Sequence, residues 1–261
     1  MMPQTVLNPA DYAPDRSFTA RVRRRLTQWR SVNPIKHLPS EPMISFSFDD
    51  FPISAAEAGA DIMDRYDIKA TYYACSGLSG RENQTGPQYL PSHMVDLVSS
   101  GHEIGAHTHT HLDCASHPTP EVLSDIDLNL NWLREHSIDV QNFAYPYGET
   151  SVSLKRALSS SFSTSRGILP GINRAGNDLT QLRAVELTSE AWTHKRAEKA
   201  IETVNRSGGW LIFFTHDVRR NPSGFGIEPD QLDVITRQAR DSGAQLVTVL
   251  DAAARLARLT I

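Results

Sequence analysis

The stretch MISFSFDDFP, residues 43–52, decides the fold. Residues 43–48 read as an apolar strand that stops abruptly at Asp49-Asp50, and Pro52 blocks its regular continuation. Two adjacent carboxylates repel one another unless one of them holds a cation or the pair shares a proton. In a parallel α/β barrel the C-terminal strand ends form the catalytic face, so an acidic pair at such an end points to chemistry. A solvated turn with a helix-capping aspartate is the plainer alternative, and this segment alone does not choose between them.

Outward from that strand, short apolar or β-branched runs alternate with helical patterns. Strands are expected at 43–48, 69–74, 102–106, 142–146, 161–165, 182–187, 210–215 and 245–250. Helices are expected at 53–66, 91–100, 119–136, 151–160, 189–207, 228–242 and 251–258. Strand-then-helix order implies parallel strands with helical crossovers, and seven or eight such units favour a closed (β/α) barrel over an open sheet. The 261-residue length suits one such domain. The expected division is an N-terminal extension over 1–40 and a catalytic domain over 41–261. The extension is Pro-punctuated and carries the arginine-rich stretch RSFTARVRRRLTQWR, residues 16–30. As a short helix it brings Phe18, Val22, Leu26 and Trp29 near one face. That stripe reads first as a helix packed across the domain, and second as a peripheral contact with an anionic lipid surface or glycan.

A formal net charge of −4 gives no basic footprint for nucleic acid, so no nucleic-acid partner is expected. No apolar run is long enough to cross a bilayer. The first residues show no basic segment followed by an apolar stretch and cleavage site, so the expectation is a cytoplasmic protein. The two cysteines, Cys75 and Cys114, are expected as thiols. The oligomeric state is not legible.

Three further segments carry candidate chemistry. In HEIGAHTHTHLD a strand ends and His107, His109 and His111 follow at alternate positions. The outer two have the i, i+4 spacing that lets one short turn offer two imidazoles to one ion, whereas His109 points away from them. In NFAYPYG, Pro146 and Gly148 set a tight turn that can aim the Tyr147 N–H into a pocket as an oxyanion donor. In WLIFFTHD, His216 ends the most hydrophobic strand, a place where an imidazole is either a satisfied structural group or a proton carrier. Independent turns have no reason to agree on one face. Four segments that each put reactive groups at a C-terminal strand end together describe a hydrolytic metal site.

These segments resemble the motifs of the polysaccharide deacetylase family, the NodB-type carbohydrate esterases, and the likeness runs from about residue 43 to 250. Ser47-Phe48-Asp49-Asp50 is similar to the first motif, which implies Asp49 as general base and Asp50 as metal ligand. His107-Thr108-His109-Thr110-His111 is similar to the second, which implies His107 and His111 as the remaining ligands of one divalent ion. Zinc is the ion expected there, with cobalt, nickel or manganese also suited. Tyr145-Pro146-Tyr147-Gly148 resembles the third motif, and Thr215-His216 the last, whose histidine is the general acid. The resemblance implies a distorted (β/α) barrel and a hydrolase that removes N-acetyl groups from a glycan. Ala144 stands where the family's third motif has an arginine that steadies the base, a departure shared with the subgroup acting on exopolysaccharides and adhesins. That tilts the expected substrate toward an N-acetylglucosamine-containing exopolysaccharide or its lipid-linked precursor. Arg183, inside LRAVEL, is expected to supply the missing charge, with Arg166 as substitute. The family's fourth motif has no clear match, Asp178 being the nearest guess. The rival reading is an amidase acting on a small cyclic amide or imide in the same barrel.

Overall fold

The computed structural model describes residue 15 and residues 17–259. Ten strands form among them: β1 (Met43–Asp49), β2 (Thr71–Ala74), β3 (Glu82–Asn83), β4 (Gly86–Pro87), β5 (Glu103–Ala106), β6 (Asn142–Ala144), β7 (Thr164–Arg166), β8 (Val185–Glu186), β9 (Trp210–Thr215) and β10 (Gln245–Leu246). The helices are α1 (Phe18–Trp29), α2 (Ala60–Arg65), α3 (Pro91–Ser99), α4 (Thr119–Glu135), α5 (Val152–Leu158), α6 (Thr193–Ser207), α7 (Pro229–Asp241) and α8 (Val249–Arg258). Each of the eight expected strands is present, shorter at one or both ends in most cases.

β1 and β9 are buried along their whole lengths and pair in parallel from Met43↔Trp210 to Phe48↔Thr215. A strand covered on both faces belongs at the centre of a parallel sheet, and the chain places it there. The order is β7-β6-β5-β2-β1-β9-β8, with β10 pairing the first residues of β1. The two ends of this curled sheet meet through residues 182–184. The Leu182 N–H donates to Ser165 O, the Gly167 N–H to Leu182 O and the Ala184 N–H to Leu169 O, at 2.9–3.0 Å. The sheet is thereby curled into a distorted (β/α) barrel.

Alternation along β1 sorts the core into two parts. Ile44, Phe46 and Phe48 face outward under the helices, whereas Met43 faces the lumen with Trp210, Ile212 and Phe214. The Trp210 indole N–H donates to Ser45 Oγ at 2.9 Å, so the small serines of β1 make room for this large ring. Asp49 is two positions beyond Ser47 on the same face and therefore tops the lumen. Outside, α7 buries Leu232, Ile235, Thr236 and Ala239 at helical spacing. Truncating such a residue, Leu232→Ala for example, removes about 2–5 kcal/mol.

Three elements depart from the sequence reading. The first part of the expected helix 53–66 is a π-helical turn over Ala55–Gly59 ahead of α2. A Cβ at Gly59 would meet the Phe48 ring at 3.2 Å, which explains the glycine at this close approach. The β3–β4 hairpin was not anticipated, because two-residue strands carry no periodicity. Helix α1 forms, but it does not pack as first expected. Phe18, Val22, Leu26 and Trp29 are all exposed, and Ala20 and Thr27 face the domain instead. Residues 27–35 are tied to the barrel by Lys155, which donates to Thr27 O and Arg30 O, and by Asp178, which accepts from the Val32 and Asn33 N–H groups. No helix among the described residues is long and apolar enough to cross a membrane.

Candidate metal centre and its surroundings

The barrel mouth gathers the segments that the sequence singles out. Asp49, Asp50, His107, His111, Tyr147 and His216 line one cleft of about 410 Å³ together with Tyr145, Glu149, Ile168, Glu186, Phe214 and Phe225. The backbone there is bent out of regular structure. Asp50, Phe51, Thr108, His111 and Tyr147 all have positive φ, five of the eight non-glycine residues that do so among those described. Such conformations cost of order 1–3 kcal/mol each and persist where surrounding contacts fix them.

Asp50, His107 and His111 each offer a ligand atom, and these atoms lie within 4.8 Å of one another. His107 Nε2 is 3.8 Å from Asp50 Oδ1, and His111 Nε2 is 3.4 Å from Asp50 Oδ2. Both Asp50 oxygens are buried without a hydrogen-bond partner. A buried carboxylate in that condition is costly unless a cation satisfies it. His107 Nδ1 faces Ala144 O at 2.8 Å, which makes Nδ1 the protonated nitrogen and leaves the Nε2 lone pair toward Asp50. Burial pushes His107 down to about 4 against the pull of Asp50 and Asp49. Burial and then the neighbouring His216 push His111 down to about 3. Both imidazoles are thus neutral and able to ligate near pH 7. Two imidazoles and one carboxylate, with open positions beyond them, fit a borderline divalent ion such as zinc.

The two aspartates are shifted in opposite directions. Burial raises Asp50, and Asp49 adds to it beyond what His107 and His216 offset. Burial alone would raise Asp49 also, but Arg166, His107 and His216 outweigh it and hold that carboxyl below its ordinary range. The Arg166 guanidinium is fully buried, pairs with Asp49 Oδ1 and lies between the Tyr73 and Phe214 rings, 5.0 and 4.9 Å from their centroids.

This corrects the expectation for Arg183. Arg183 is only partly buried, and its guanidinium donates to Pro170 O on the outside of the barrel. Arg166 makes the ion pair because β7 runs one residue further than expected. Ala144 and Arg166 are register partners on β6 and β7, so the charge missing from position 144 arrives from the adjacent strand at the same height. Asp178 also lies elsewhere, 2.7 Å from Lys155 Nζ.

One support had no sequence signal of its own. Asp125 of α4 accepts from the His109 N–H, the Thr110 N–H and the Thr110 hydroxyl at 2.7–3.1 Å, which anchors the loop between His107 and His111. His109 turns away from the cleft, Nδ1 lying 2.8 Å from Ser76 Oγ. In the third motif, Gly148 has φ +68, and a Cβ there would come within 2.3 Å of Ile168. Glycine is therefore required beside Tyr147. His216 follows β9, with the Phe225 ring 5.5 Å from its own and Nδ1 buried without a partner.

Residues 36–161 match the model of the polysaccharide deacetylase family. The matched stretch contains Asp49, Asp50, His107, His111 and the Pro146–Gly148 turn, and it ends before Arg166 and His216. A bifunctional xylanase/deacetylase of Pseudobutyrivibrio xylanivorans is 25% identical over 109 residues, 41% of this chain and 17% of that protein's length. The fold is similar to that of peptidoglycan deacetylase PdaC from Bacillus subtilis, with 19% identity and a TM-score of 0.55 over 85% of this chain and 94% of that one. A family 4 acetyl xylan esterase from Clostridium thermocellum, solved with a cobalt ion, is 22% identical with a TM-score of 0.54 over 82% and 91%. The family match covers just under half of the chain, residues 36–161, and the buried Asp-His-His cluster lies at the mouth of a barrel similar to those of these solved structures.

Proposed function

We propose that this protein is a metal-dependent deacetylase that removes N-acetyl groups from N-acetylglucosamine-type residues of an exopolysaccharide or its lipid-linked precursor. The observation that carries the reading is the pairing of an unsatisfied buried carboxylate between two neutral imidazoles with a second carboxylate kept ionised beside it. Asp50, His107 and His111 would hold the divalent ion, zinc being the best match to this donor set. When bound, such an ion polarises the acetyl carbonyl and acidifies water. Asp49, ionised by Arg166, takes the proton from the attacking water. The Tyr147 N–H donates to the oxygen that gains negative charge as the carbonyl carbon becomes tetrahedral. His216 gives a proton to the departing sugar nitrogen, so that acetate and a free amine result. The exopolysaccharide class is supported by Ala144, which makes the third motif resemble that subgroup.

The direct test is amine release from N-acetylglucosamine oligomers, set beside acetate release from acetylated xylan and opening of a cyclic ureide. Amine release that chelator abolishes and zinc restores is the expected result. Turnover of the ester or the cyclic amide alone would overturn the substrate assignment. Full activity in metal-free protein would overturn the mechanism.

A further inference from the structure

Helix α1 is built the wrong way round for a helix packed on a domain. Its polar side, with Ala20, Thr27 and Arg24, faces the protein, and its apolar stripe faces out. Phe18 is 74% exposed, Leu26 54% and Trp29 87%, with Val22 between them. At 100° per residue these four side chains cover about 80° of the helix surface. Exposed arginines flank them, Arg21 and Arg25 on one side, Arg23 and Arg30 on the other, and α1 contains no acidic residue. A groove of about 530 Å³ runs between the stripe and Val152 at the start of α5.

We infer that this face binds the surface of an anionic lipid bilayer. An apolar stripe with arginines on both edges lets the rings enter the headgroup boundary while the guanidinium groups meet lipid phosphates. Charge decides against a second copy of the chain as the occupant, because apposed α1 faces would bring the arginine rows together. The helix is also fixed at the rim of the cleft. Arg24 Nε donates to Glu149 Oε1 at 2.6 Å, and Glu149 lines the cleft. A bilayer under α1 would therefore lie beside the cleft mouth. This inference stands on the helix and does not depend on the deacetylase reading.

The test is co-sedimentation of the full 261-residue chain with phosphatidylcholine vesicles, with and without phosphatidylglycerol, at two salt concentrations. Binding should favour the anionic vesicles at least tenfold and weaken with salt. Arg21→Gln with Arg25→Gln should lower it roughly thirtyfold, about fivefold for each arginine. Phe18→Ser with Trp29→Ser should abolish it while leaving the melting temperature and the turnover of a dissolved oligosaccharide unchanged. Absence of binding to either vesicle overturns the inference, as does binding that survives Phe18→Ser with Trp29→Ser. A concentration-dependent dimer that Trp29→Ser dissociates, without vesicle binding, would give the face to a second copy. Vesicle binding that appears only after residues 1–14 are deleted would give it to the chain's own N-terminus.

Discussion

Arg166 and Arg183 separate what a single residue's sequence context reveals from what it does not. Strand alternation assigned Arg183 to the inward row of LRAVEL, yet β8 is only Val185–Glu186, and Arg183 lies where the chain bends between the sheet edges. Arg166 sat beyond the last residue of the expected strand and so had no assigned face. The signal that could have found it is its place at a C-terminal strand end, followed by Gly167, the same logic that singled out Asp49 and His216. The consequence is testable by comparing two substitutions. Arg166→Met should remove at least a hundredfold of turnover, because Asp49, the proposed base, loses the cation that fixes its charge and rotamer. It should also lower stability by about 3–5 kcal/mol, the cost of leaving one half of a buried ion pair. Arg183→Met touches neither Asp49 nor the lumen and should leave turnover within twofold. Equal losses in the two variants, measured at saturating metal, would return the role to Arg183.

At the level of elements, the strands and their order of use were readable, because β1 and β9 are long, apolar and buried on both faces. The loops that shape the site were readable only as compositions. HTHTH announced its two outer candidate ligands through spacing, but its anchor, Asp125, belongs to a helix 14 residues beyond His111, where an aspartate reads as solvent-facing. Buried and hydrogen-bonded three times to residues 109 and 110, Asp125 fixes the angle at which His107 and His111 face Asp50. Asp125→Ala should therefore weaken zinc affinity by about 10–100-fold, the usual effect of losing a residue that orients ligands. Isothermal titration with zinc measures this directly. An unchanged dissociation constant would show that the loop is held by its other contacts. The inverted face of α1 was the reverse case. Its stripe was visible at once, but a stripe does not say what covers it.

Over the whole molecule, two linkages connect the site and the N-terminal strap to stability. Burial raises Asp178, but Lys155, the Asn33 N–H and Thr180 outweigh it and hold the carboxyl below its ordinary value. A carboxyl depressed in the folded state stabilises fully above its unfolded value of about 3.9, and that stability is lost as pH falls below it. Asp178→Asn should thus cost about 2 kcal/mol at pH 7, and the gap between wild type and variant should close as pH drops from 5 to 3. Equilibrium denaturant titrations across that range measure the gap, and a constant gap would deny the ionic contribution. The second linkage is with metal. A ligand that binds only the folded state at about a thousand times its dissociation constant adds about 4 kcal/mol. At this chain length that raises the midpoint of thermal unfolding by roughly 8–16 °C. Zinc should produce such a rise in the wild type, because Asp50 has both oxygens unsatisfied until a cation meets them. Asp50→Asn should abolish the rise, as should replacement of His107 or His111 by alanine. Asp49→Asn should keep most of it and still lose turnover by a hundredfold or more, since Asp49 is paired with Arg166 rather than aimed at the ion. Scanning calorimetry with and without zinc reads all four variants on one scale. If Asp49→Asn lost the rise and Asp50→Asn kept it, the two aspartates would have exchanged roles.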